Sequence, residues 1–180
     1  KRVPTHVIIL FGAPSSGKST AAAGIFYNLK MQHKHCEMVR EYVKSWAWEG
    51  RKPGQYDQLY LLGKKAKYES LLYGKVDYII TDSPLIISGF YEHWHDSSSL
   101  VLDAARSFME RAISNGVTYH NFWLPAHEHY DSRGRYHSKE DSDKLGKPML
   151  EWLVNELNGS LEELNNVEDR VGHIIKSCVK

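Results

Sequence analysis

Residues 12–19 read Gly-Ala-Pro-Ser-Ser-Gly-Lys-Ser, with two glycines, a proline and three serines around one lysine. The spacing is G-x-x-x-x-G-K-[ST]. Glycine lets a backbone curl until successive N–H groups face inward, and such a concavity holds an anion. A helix that starts at the lysine adds its positive end to the same place. The chemistry expected is a grip on a polyphosphate by a cradle of Gly12, Ala13, Pro14, Ser15, Ser16, Gly17, Lys18, Ser19 and Thr20. Lys18 would reach the β and γ phosphates, and the Ser19 hydroxyl would ligate Mg²⁺. The bland alternative is a glycine-rich turn with a solvated lysine. What decides against it is context: the apolar run Val7-Ile8-Ile9-Leu10 before the loop and the alanine-rich run after it.

Two acids stand where a second part of such a site belongs. Asp82 follows Tyr78-Ile79-Ile80-Thr81, and Glu41 follows Glu37-Met38-Val39-Arg40. In an open α/β sheet, ligands gather at the carboxyl ends of the strands. Asp82 is the natural holder of Mg²⁺, directly or through water; its alternative is a cap for the next helix. Glu41 is placed to take a proton from an attacking hydroxyl or to orient the substrate; its alternative is a surface acid paired with a lysine. Arg133 and Arg135, flanking Gly134 in a polar stretch over residues 126–147, are the cations for charge developing in a transition state, and the stretch reads as a lid. Lys139 is a weaker third. The alternative there is a solvated loop. Trp46 is the aromatic chosen to stack on a base, and Gln58 the amide chosen to read a base edge, with core packing as the competing role for any aromatic here.

The elements that must position these residues follow from periodicity. Strands are predicted at Val7–Phe11, 37–42, 76–82, 117–124 and 171–179. Helices are predicted at 19–29, 55–73, 86–94 and 100–114. The leucines at 150, 153, 157, 161 and 164 step at three and four residues, marking one or two further helices. If two, Asn158-Gly159 divides them and Ser160 with Glu163 caps the second. Strands alternating with helices predict an α/β fold with a parallel five-stranded sheet covered on both faces, in one domain spanning 1–180.

At this point a resemblance becomes specific. "GAPSSGKST", "EYVKSWAWEG" and "VDYIITDSPL" resemble small P-loop kinases similar to the nicotinamide-riboside kinase domain, many of them encoded by bacteriophages. The similarity covers about residues 5–150. Arg40-Glu41-Tyr42 also resembles the Arg-Glu-Pro that ends the second strand of thymidylate kinases, and Asp82-Ser83-Pro84 stands where those enzymes carry Asp-Arg. The resemblance implies a nucleoside- or nucleotide-kinase fold that uses ATP and Mg²⁺. It supports the lid, since related kinases place Gly-Arg in that segment. Two acceptors are compatible with it: a free nucleoside or nucleotide, and a hydroxymethylated pyrimidine within DNA, a reaction known among phage members of the group. A nucleotide-binding ATPase or regulator is the reading of a different class.

Bulk properties narrow the field without choosing the acceptor. The chain has 180 residues, a formal net charge of +1, 42% hydrophobic and 25% charged residues. Such a balance creates no global field toward nucleic acid or membrane, which favours a small acceptor over DNA. Two cysteines are too few for a disulfide framework and point to a reducing compartment, the cytoplasm, or the host cytoplasm for a phage protein. No apolar run is long enough to span a bilayer. Asn158-Gly159-Ser160 reads as a turn. Ten histidines include three His-x-His pairs, but no companion motif makes them a zinc site. Asp131-Ser132-Arg133-Gly134 fits a GTPase Asp-x-x-Gly, yet the chain has no Asn-Lys-x-Asp.

Overall fold

The structure is a computed structural model that describes residues 3–126 and 138–179, apart from the side chain of Lys139. Within these, five strands and seven helices follow one another as β1 (Thr5–Phe11), α1 (Lys18–Met31), β2 (Cys36–Val39), α2 (Lys44–Trp48), α3 (Asp57–Ser70), β3 (Tyr78–Thr81), α4 (Ile87–Asp96), α5 (Leu100–Ser114), β4 (Val117–Trp123), α6 (Lys139–Glu156), β5 (Leu161–Glu163) and α7 (Arg170–Cys178). The sheet order is β2-β3-β1-β4-β5. Every pairing is parallel. The expected five-stranded parallel α/β fold is therefore present.

β1 shows why the sheet is covered on both faces. Its side chains alternate by the strand period of two. Val7, Ile9 and Phe11 enter one core cluster with Phe90, Leu102, Met149 and Leu153, from α4, α5 and α6. Ile8 and Leu10 enter the other with Ala21, Ile25, Leu29 and Ile174, from α1 and α7. The register then fixes the site. Ile9 lies beside Thr81, and Val39 lies beside Thr81 on its other side. The three carboxyl ends of β2, β3 and β1 are thus adjacent. Chain segments beyond them must share one crevice.

Two expected elements differ. The last strand of the sheet is not 171–179 but Leu161–Glu163, which pairs with Asn121–Trp123 of β4. Ser160 therefore immediately precedes this strand and Glu163 ends it, so the pair does not cap a helix. Residues 170–178 are helical because Asp169 accepts a hydrogen bond from the Gly172 amide and because Ile174 and Cys178, four apart, are both buried against α1. That burial outweighs the strand preference of Val171, Ile174 and Ile175. Asn158 and Gly159 form the turn, with φ of 45° and 81°.

The polar stretch 126–147 also divides. Its end is not a loop but the start of α6, where Ser138 and Asp141 form a reciprocal capping box. Leu145, Met149 and Leu153 supply the buried face. Leu145 is the only aliphatic leucine, isoleucine or valine between 126 and 147, so the helical period is faint there. Arg133 and Arg135, with His127 and His129, lie outside the described residues. Cys36 and Cys178 are buried free thiols.

Candidate functional site

The lysine loop connects β1 to α1 with backbone angles that set its curvature. Gly17 has φ of 84° and Ser15 has φ of 72°. For serine this left-handed conformation is costly and persists only where the surroundings enforce it. Gly12 permits the close approach at the loop's start. A Cβ there would lie 2.2 Å from Ser16 Oγ and 2.7 Å from the Leu124 carbonyl oxygen. The Lys18 ammonium donates to the carbonyls of Gly12 at 2.8 Å and Ala13 at 3.0 Å, which holds it across the loop. The Oγ atoms of Ser15 and Ser16 are buried without a hydrogen-bond partner.

Three later parts of the chain brace this loop. Ser142 Oγ of α6 donates to the Pro14 carbonyl at 2.6 Å. The Arg170 guanidinium of α7 donates to the Ser16 carbonyl at 3.1 Å. The Leu124 amide, just past β4, donates to the Phe11 carbonyl at 2.8 Å.

Asp82 meets the loop directly. Ser19 Oγ donates to Asp82 Oδ2 at 2.7 Å. Asp82 Oδ1 is buried and has no hydrogen-bond partner. A carboxylate oxygen left unsatisfied beside a serine hydroxyl is a donor set that suits a hard cation such as Mg²⁺, which takes oxygen ligands and few of them from protein. The residues present thus fit the metal that the loop implies.

Glu41 stands two residues beyond β2 and faces the same crevice. Burial is the largest influence on its carboxyl and raises its pKa. The positive charge of Lys18 opposes the rise, Asp82 adds to it, and Lys65 and Lys44 oppose it again. Lys18, Glu41 and Asp82 are therefore brought into one electrostatic group. Tyr91 of α4 belongs to its rim: burial, then the charge on Glu41, raises its phenol well above the ordinary value.

Beside Glu41 a cleft of about 480 Å³ opens along β2, an outer strand of the sheet. Arg40, Glu41, Tyr42, Tyr68, Leu71 and Leu72 are among its lining residues. Tyr42 is the corner of an aromatic group. Its hydroxyl is 3.1 Å from that of Tyr60, its ring lies 6.4 Å from that of Tyr68, and Lys64 sits 5.6 Å over its face. Trp46 lies under this group, buried with Val43 and Leu61. It stacks on Tyr60 at 6.1 Å and carries the Arg51 guanidinium 3.6 Å over its ring. Gln58 is buried on α3. The aromatic surface next to the cleft is thus supplied by Tyr42 and Tyr68, with Trp46 behind them.

Sequence reasoning missed Lys65 and Arg170. Lys65 sits in the run Gly63-Lys64-Lys65-Ala66-Lys67, which reads as an exposed helical face. Its helical phase with Leu61, Leu62 and Ala66, all buried, is the signal that could have found it. Arg170 is distant in sequence, and only the helical assignment of 170–178 brings it to the loop.

No family model matches the chain, and no curated protein matches it. Solved structures do. The chain is similar to NadR protein in complex with NR, at a TM-score of 0.63 and 13% identity over 97% of this chain and 50% of that one. It is similar to deoxyadenosine kinase from M. mycoides with bound products, at 0.59 and 16% over 95% and 97%. It is similar to the APS kinase CysC of Mycobacterium tuberculosis in complex with AMPPNP and APS, at 0.55 and 12% over 96% of each chain.

Proposed function

We propose that this chain, which has the fold of the P-loop kinases, is an ATP- and Mg²⁺-dependent phosphotransferase acting on a hydroxyl of a nucleoside- or nucleotide-like acceptor. One observation carries the reading: Ser19 at the lysine loop is bonded to Asp82, whose second oxygen is buried and unpartnered, with Glu41 in the same charged group. The fold neighbours NadR protein, bound to NR, and deoxyadenosine kinase, bound to dCMP and dCDP, support the same class.

The loop amides and Lys18 would hold the triphosphate of ATP, with Ser15 and Ser16 offering their unpaired hydroxyls. Ser19 and Asp82 would hold Mg²⁺, which when bound neutralises charge on the phosphate oxygens. Glu41 would accept the proton of the acceptor hydroxyl, a role its raised pKa favours. The acceptor oxygen forms its bond to the γ-phosphorus as the bond from that phosphorus to the β,γ-bridging oxygen breaks. The electron pair leaves with ADP. The acceptor would lie in the cleft along β2, its base against Tyr42 and Tyr68. Trp46 and Gln58, expected to touch the base, would support that surface from below. Arg133 and Arg135 are proposed to stabilise the negative charge that develops on the transferring group.

A second reading, an acceptor base within DNA, is favoured by one feature. Trp48 and Tyr56 are 68% and 88% exposed in the same stretch that carries exposed Arg40, Lys44, Arg51, Lys52 and Lys67. Exposed aromatics interleaved with cations suit a nucleic-acid strand. The test is a phosphate-transfer screen with labelled ATP over nucleosides, nucleotides and hydroxymethylated DNA. The expected result is acceptor-dependent transfer that Lys18→Ala abolishes. ATP hydrolysis with no acceptor dependence would make the protein an ATPase instead, and salt-sensitive transfer to DNA would select the second reading.

A further inference from the structure

Helix α3 buries one lysine. Lys65 is 5% exposed, and its ammonium donates to Ser88 Oγ at 3.1 Å and to the Pro84 carbonyl at 3.4 Å. Both acceptors are neutral. The second bond is longer than the roughly 2.7–3.2 Å of a good N–H···O bond. Among the described residues no carboxylate lies within ion-pair distance of this ammonium. Such a charge loses its hydration and gains little in return. Burial lowers the pKa of Lys65 to about 8, against the pull of Glu41 and Asp82, so at neutral pH the group is still mostly protonated. The fold has no need of a charge at this place. Leu62 and Ala66 of the same helix form an apolar cluster with Leu85 and with Val101 of α5, which an unbranched apolar side chain would extend.

The position of the charge explains what the packing does not. Pro84 lies two residues past Asp82, and Glu41 feels both Lys18 and Lys65. Two cations therefore act on Glu41, Lys18 from the loop and Lys65 from α3 beside the turn after Asp82. We infer that Lys65 is a second phosphoryl-handling cation, presented by α3 at the turn after Asp82 to the negative charge of the transferred group. The long bond to Pro84 is the one it gives up to do so. This rests on the kinase reading, and it assigns to α3 a charge that Asp82-Ser83-Pro84 does not itself carry.

The test compares wild type with Lys65→Met. Without ligand at pH 7, the variant is expected to melt several degrees higher, because a buried charge has been removed. A non-hydrolysable ATP analogue with Mg²⁺ should stabilise wild type more than ADP with Mg²⁺ does, and this excess should shrink in the variant while the ADP shift stays. Acceptor turnover should fall about 100-fold or more, with Lys65→Arg recovering part of it. A variant that melts lower, or does not fold, would make Lys65 a structural support for Pro84 and Ser88 and overturn the inference. So would an unchanged analogue excess. If wild type transfers phosphate to nothing yet the excess depends on Lys65, the kinase reading fails, the transfer role of Lys65 falls with it, and only a contact between Lys65 and the γ-phosphate of bound ATP is left. If the variant turns over like wild type, the inference fails alone.

Discussion

Glu41 and Asp82 are both carboxylates in one crevice, yet their surroundings differ. Asp82 accepts a hydroxyl hydrogen bond from Ser19, whereas Glu41 is held largely by burial and by long-range charge. Different roles are expected from Asp82 as metal holder and Glu41 as base. Glu41→Gln should lower turnover by about 100- to 10,000-fold with ATP affinity unchanged, measured by steady-state kinetics beside nucleotide titration. An unchanged rate would return Glu41 to a bystander. Asp82→Asn should instead raise the Mg²⁺ concentration needed for half-maximal turnover. The place of both acids in the fold was legible in the sequence, since Asp82 directly follows the apolar β3 and Glu41 stands two residues past β2. The aromatic choice was less so: Tyr42 and Trp46 both follow β2, Tyr42 the nearer, and only packing decides which ring is buried. Lys65 was hidden among neighbouring lysines for the same reason, since charge pattern alone does not show which of them turns inward.

The strand-loop-helix unit of β1, residues 12–17 and α1 is the element on which the site depends. Gly12→Ala would push a methyl into the Leu124 carbonyl oxygen, a backbone atom that cannot rotate away. A destabilisation of about 1–3 kcal/mol is expected, together with weakened nucleotide binding, read by urea unfolding and titration. This unit was fully legible, because glycine spacing and flanking periodicity agree. The C-terminal elements were not. β5 has three residues, two of them exposed glutamates, and its pairing with β4 is a tertiary fact. At the far end of α3, Glu69 is buried and hydrogen-bonded by the Tyr73 hydroxyl, which is 2.8 Å from that of Tyr119. Burial raises the Glu69 pKa from 4.5 to about 7, with the two tyrosines opposing. The folded state therefore holds the proton more tightly than the unfolded chain does. That contribution is fully present below pH 4.5 and is lost as pH rises through about 7, on the order of 3 kcal/mol. Glu69→Gln should thus gain stability relative to wild type as pH rises from 5 to 8, checked by denaturant unfolding across that range. A constant difference would mean Glu69 titrates normally.

For the molecule as a whole, the sheet order places β1 between β3 and β4, so the chain leaves the centre in one direction and returns to fill the other side. The crevice at that reversal is where doubly wound sheets bind ligands. The parallel sense was legible from alternating strands and helices, but the place of the fifth strand and the strand order were not, because nothing local encodes which strands become neighbours. α6 and α7 then reach back to brace the loop through Ser142 and Arg170, so the last third of the chain holds the first loop in shape. Arg170→Ala should accordingly weaken ATP binding several-fold with the acceptor KM unchanged, measured by titration and kinetics. The central claim is that residues 12–19 grip a triphosphate. The most direct measurement is a crystal structure with a non-hydrolysable ATP analogue and Mg²⁺. The β and γ phosphates are expected inside the loop, with Ser19 and Asp82 holding the metal. An analogue bound elsewhere, with the loop closed on its own carbonyls, would contradict it.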